Sequence, residues 1–153
     1  MKKITGLFFI IQIILFSNIF ASDFYNTNFT SQKEGEIFMK LKIGNSIFTA
    51  VLEDNSSTEA LIKLLEKKPI VIKMKDYGNM EKVGSFGTDL PRNDKQITTQ
   101  PGDLILYQGN MFVIYYAPNS WNFTKLGKIN NITQKDLKDA LGKGDVEVTL
   151  YLD

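Results

Sequence analysis

The 153-residue chain contains no cysteine and no histidine, and its single tryptophan and single arginine are Trp121 and Arg92. Without thiols, disulfides cannot supply stability and thiol redox chemistry is excluded. Without imidazoles, Ser-His-Asp and Cys-His sites and histidine-based metal centres are excluded as well, which removes most hydrolase mechanisms. An excess of one charge is also missing: Lys and Arg number 18 against 17 Asp and Glu, with the lysines scattered among the acids. Nothing therefore supplies the basic stripe that neutralises several phosphates, and nucleic acid is not an expected partner. No acidic loop has calcium spacing, no internal repeat is visible, and no metal or cofactor is expected.

The opening residues follow a different pattern from the rest. Lys2 and Lys3 precede an apolar run from Leu7 to Phe16 broken only by Gln12, and the small residue Ala21 closes the stretch. A basic start, a short apolar middle and a small exit residue are the three parts of a secretion signal, with cleavage expected after Ala21. The competing reading is an uncleaved anchor, because the run stretches towards Phe20 and a spanning helix needs about twenty apolar residues. The absence of cysteine excludes a lipid-anchored lipoprotein. The expected organisation is thus a signal at 1–21, a polar linker at 22–36 and one domain at 37–153. This makes an exported, periplasmic or extracellular protein with no stable membrane insertion once the signal is removed. The domain is long enough to bury a working core without crosslinks, and a monomer is expected.

Within the domain the apolar pattern has a period of two. Ile37, Met39, Leu41 and Ile43 alternate with polar positions, Gly44-Asn45 turns the chain, and Ile47 to Leu52 returns as a hairpin partner. Ser56 is the expected cap of a helix carrying Ala60, Leu61, Leu64 and Leu65, with Glu59 reaching back, and the helix should stop before Pro69. Ile70, Ile72 and Met74 make a third strand. Asp76 to Asp103 then reads as a long irregular segment rich in Gly, Asn, Asp and Pro, of a length more often functional than accidental. Leu104 to Tyr107 and Met111 to Tyr116 pair across Gly109-Asn110. Thr133 caps a second helix ended by Gly142 and Gly144, and Val146, Val148, Leu150 and Leu152 form the last strand. Short strands between turns, with only two short helices, predict a mainly β protein closed as an antiparallel barrel.

Three patterns carry a family likeness: Lys75-Asp76-Tyr77-Gly78-Asn79-Met80-Glu81-Lys82 followed by Leu90-Pro91-Arg92; Gly102-Asp103-Leu104-Ile105-Leu106-Tyr107 with Gly109-Asn110 and Tyr115-Tyr116; and Leu126-Gly127-Lys128-Ile129 before the second helix and final strand. In this order they resemble the bacterial cyclophilin-like domain proteins over about Ile37 to Asp153. The resemblance implies a cyclophilin-like β-barrel whose open ends are covered by two helices. Catalytic cyclophilins carry a Phe-His-Arg strand motif and a Trp-Leu-Asp-Gly-x-His loop. Here the strand after the first helix reads Ile70-Val71-Ile72-Lys73-Met74-Lys75, without arginine, and the stretch from Trp121 to Gly127 lacks the Leu-Asp-Gly and the histidine.

The candidate site residues are Tyr77, Arg92, Asn110, Trp121 and Phe123. Trp121 and Phe123 are expected in a Pro/Asn/Ser loop, where large aromatics mark binding surfaces, and Asn110 and Tyr77 could add polar contacts. Arg92 is the one candidate for catalysis, since a guanidinium can hold a peptide carbonyl or carboxylate bidentately and stabilise a twisted amide. The competing reading has Arg92 pinning its own loop to Asp89 or Asp94. Acid pairs such as Glu53 with Asp54, or Asp145 with Glu147, read as solvated surface. The expected function is an exported binding module for a peptide or small molecule, and the alternative is a peptidyl-prolyl isomerase assisting folding in the cell envelope.

Overall fold

The computed structural model describes residues 35–153. The expected signal and its cleavage point, and all but the last two positions of the expected linker, lie outside the described residues. In chain order the elements are β1 (Phe38–Ile43), β2 (Ser46–Leu52), α1 (Ser56–Leu65), β3 (Ile70–Tyr77), β4 (Glu81–Ser85), β5 (Lys95–Thr98), β6 (Asp103–Tyr107), β7 (Met111–Tyr115), β8 (Ser120–Ile129), α2 (Gln134–Leu141) and β9 (Val146–Tyr151). The strands run β2-β1-β9-β3-β4-β7-β6-β8, and β2 pairs back onto β8 through Ala50, Val51 and Leu52. That last seam closes the antiparallel barrel predicted from the sequence. β5 lies outside the closed ring, paired with the first half of β8 from Lys95 opposite Phe123 to Thr98 opposite Ser120.

Side chains of period two fill the interior. Met39, Leu41, Ile43, Ile72, Met74, Leu104, Leu106, Phe112, Ile114, Val148 and Leu150 are buried in one cluster. Leu61 and Leu65 of α1, and Leu137 and Leu141 of α2, join it, as their four-residue spacing on one helix face requires. α2 begins at Thr133, whose side chain accepts from the Asp136 amide, and stops at Gly142 with φ +64°. α1 begins one residue earlier than expected. Asn55 caps it, accepting from the amides of Ser57 and Thr58 at 3.0 and 3.1 Å, and Thr58 rather than Glu59 reaches back to the cap amide. Asn55 wins because its amide also donates to the Lys125 carbonyl at 2.9 Å, tying the helix start to β8.

The segment expected to be irregular contains two strands, β4 and β5. β4 escapes a hydrophobicity-based reading because its inward positions are Lys82 and Gly84. Gly84 is required there: a β-carbon would stand 2.6 Å from both the Ile72 side chain and the Lys73 carbonyl. Lys82 is fully buried, its ammonium held by Asp76 at 2.9 Å and the Gly144 carbonyl at 2.7 Å, while Tyr116 donates to the same Asp76 oxygen at 2.7 Å. A buried charge is tolerated only when paired and hydrogen-bonded in this way. Among the described residues no helix is long and apolar enough to cross a membrane.

Candidate functional site

Strand register gives the barrel a second apolar surface, on its outside. In β7, Phe112 and Ile114 point into the core, so Val113 and Tyr115 point out; in β6 the same alternation turns Ile105 and Tyr107 out. Ile105, Val113, Tyr115 and Phe123 form a separate buried cluster, with Met80, Val83, Ile97 and Tyr107 packed against it. The Phe123 ring lies 5.5 Å from Tyr115 and 6.3 Å from Tyr107, centroid to centroid, in tilted and edge-on arrangements that aromatic rings favour.

Above this cluster opens a cavity of about 540 Å³, lined by Tyr77, Met80, Glu81, Val83, Tyr107, Gln108, Met111, Tyr115, Asn119, Trp121 and Phe123. That volume lies in the range of small-ligand sites, about 300–1,000 Å³. Tyr77, Glu81 and Tyr115 are successive register partners across β3, β4 and β7, which sets them in a row along one side. Trp121 and Tyr77 stand exposed at its margin, 60% and 67% accessible.

Glu81 is the acid of this site and is buried. Its removal from water pushes its carboxyl above the usual glutamate range; a hydrogen bond with Tyr115 works against the rise, and the negative charge of Asp76 adds to it. Tyr115 is pushed up as a phenol by burial and by the same contact with Glu81. The Asn119 amide donates to the Tyr115 hydroxyl at 3.2 Å. On the inner face, partial burial opposes ionisation of Asp76, but hydrogen bonds from Tyr116 and Lys82 and the Lys82 charge prevail and hold its carboxyl below the usual range.

Of the five residues singled out in the sequence, Tyr77, Trp121 and Phe123 line the cavity together, and Arg92 and Asn110 do not. Trp121 and Phe123 stand in β8 rather than in a loop. The loop expectation fails because the Pro118-Asn119-Ser120 turn ends where pairing with β5 begins, and β5 itself was hidden in polar sequence. Arg92 binds Asp94 through both Nε, at 2.9 Å, and Nη2, and its side chain is 57% exposed. Asp94 is also held by the Thr124 hydroxyl at 2.6 Å, so the arginine fastens its own loop to β8. Asn110 accepts from the Phe86 amide at 2.9 Å through its backbone, a turn role. The sequence reading missed Glu81, Tyr115 and Asn119 as site residues. The outward face of β7 gave the available signal, since Tyr115 shares it with Val113 opposite a full inner face.

A second cavity of about 540 Å³ is lined by Asn79, Tyr116, Lys138, Asp139, Leu141, Gly142 and Lys143. Its one aromatic ring is already covered, with the Lys138 ammonium 5.4 Å from the Tyr116 centroid. Among the described residues, no group of three or more acidic side chains gathers that could hold a metal ion.

A model of the cyclophilin-like family matches residues 41–151 of the chain. No curated protein matches it significantly. Among solved structures, the solution structure of a hypothetical protein from Archaeoglobus fulgidus superposes with a TM-score of 0.58 at 12% identity, covering 80% of this chain and 99% of its own. At that identity the likeness concerns the fold alone.

Proposed function

We propose, for a chain that belongs to the cyclophilin-like family, that the domain is an exported binding module that takes a peptide side chain or a small molecule into the aromatic cavity outside the barrel. The observation that carries this reading is the exposure of Trp121 and Tyr77, 60% and 67%, beside a concave surface floored by a packed apolar cluster. Large aromatics held in water against such a surface gain roughly 25 cal/mol for each Å² of apolar area a ligand covers, and their rigid rings lose little entropy on doing so. The basic and then apolar opening of the sequence supports placing this module outside the cytoplasm.

An isomerase working as the catalytic cyclophilins do would need a guanidinium aimed at a twisted amide. Among the described residues no lysine or arginine lines the cavity, and the Arg92 guanidinium is engaged by Asp94 outside it. These features favour binding over catalysis. Because Trp121 is the only tryptophan of the chain, its fluorescence reports on the cavity directly. Titration with short peptides, Xaa-Pro sequences included, is expected to change Trp121 emission, and Tyr77→Ala to weaken the effect about tenfold, as for an interface aromatic worth somewhat over 1 kcal/mol. Accelerated isomerisation of Xaa-Pro bonds that disappears in Arg92→Ala would establish the enzyme instead.

A further inference from the structure

The walls of the outer cavity carry charge information as well as shape. Five of its lining side chains, Tyr77, Tyr107, Tyr115, Trp121 and Phe123, are aromatic, and among the described residues Glu81 is its only carboxylate. Aromatic rings present a negative quadrupole on their faces, which attracts cations and above all desolvated ones. Among the described residues nothing within the cavity cancels the acid, because its lining includes neither lysine nor arginine. The neighbouring Lys82 does not do so either: it points to the opposite face of β4, where Asp76 and the Gly144 carbonyl hold its ammonium. A carboxylate offers about four lone-pair directions.

Taking the cavity as the binding site, we infer that its ligand is an organic cation, a substituted ammonium whose charged centre meets Glu81 and whose apolar periphery packs on the aromatic walls. An anionic ligand would face Glu81 with no compensating positive group. A neutral apolar ligand would take a buried acid further from water without offering it a counter-charge, which costs binding energy. A substituted ammonium satisfies both the rings and the acid. The same chemistry occurs in a free small molecule and in a methylated lysine side chain, and the probes must separate those two sources.

The test is a Trp121 fluorescence titration of the full chain with choline, with its neutral carbon isostere 3,3-dimethylbutan-1-ol, and with a short peptide containing trimethyllysine. Choline or the peptide is expected to bind at least about tenfold more tightly than the alcohol, and whichever of the two binds better identifies the source. Glu81→Gln, nearly isosteric, should remove most of that preference, with thermal denaturation checking its fold. The exposed Tyr77→Ala, which leaves the core untouched, should weaken the cation more than the alcohol. Equal binding of choline, peptide and alcohol, or a preference unchanged in Glu81→Gln, overturns the cation assignment while leaving the cavity a binding site. Silence of Trp121 towards every probe overturns the cation assignment, and silence extending to the broader peptide set defeats the binding reading too.

Discussion

Glu81 and Lys82 are adjacent in sequence and sit on opposite faces of β4, so one acid and one base are buried in separate surroundings. Burial raises the Glu81 carboxyl above its ordinary value, so between that value and the raised one the folded protein keeps a proton that the unfolded chain releases. Stability contributed by this residue is therefore lost as pH rises through that window. Glu81→Gln is expected to be more stable than the parent at neutral pH and to lose that advantage below the ordinary glutamate range, as urea denaturation over a pH series would show. Asp76 behaves in the opposite sense. Its carboxyl lies below the usual range, so its contribution is present above the ordinary aspartate value and disappears as pH falls through the lowered one. Asp76→Ala leaves Lys82 fully buried with the Gly144 carbonyl but no counter-charge, and should cost about 3 kcal/mol at neutral pH by denaturant titration. No local pattern in the sequence distinguishes these two buried charges from the many lysines and acids on the surface.

At the scale of elements, strands with a plain alternation were legible. β1, β3 and β9 follow their apolar pattern, and the faces of β7 divide as its sequence predicts. β4 and β5 were not, because Lys82 and Gly84 occupy the inward positions of β4, and β5 exposes most of Lys95-Gln96-Ile97-Thr98. The helix caps show the same limit: Thr133 could be read locally, whereas Asn55 displaces Ser56 through a bond to Lys125, distant in sequence. Asn55→Ala should cost about 1–2 kcal/mol, the usual range for a lost cap, read as a lower thermal midpoint. The β2–β8 seam leaves no room for a side chain at Gly127. A β-carbon on Gly127 would collide with the Val51 carbonyl and stand 3.2 Å from the Leu52 α-carbon, so Gly127→Ala should destabilise by about 3 kcal/mol through backbone displacement. Faster amide exchange along β2 and β8 than along β3 and β9 would locate the damage.

For the molecule as a whole, the proposed export predicts a chemical boundary: mass spectrometry of the protein recovered from its native compartment should find Ser22 at its start. An intact Met1 in the membrane fraction would make it an anchored protein instead. The amino-acid sequence by itself determined the barrel class, since period-two apolar strands joined by tight turns need little beyond local pattern and burial to define them. It also determined what chemistry is absent, because a residue type that does not occur cannot act. Only the tertiary structure decided the site. Tyr77, Glu81, Tyr115, Asn119 and Trp121 come from β3, β4, β7, β8 and the turn between β7 and β8, and they meet because the strand order and register align them. Arg92, conspicuous in the sequence as the sole arginine, was drawn away by a short-range pairing with Asp94. Uniqueness in the sequence did not set its place; the position of its nearest counter-charge did.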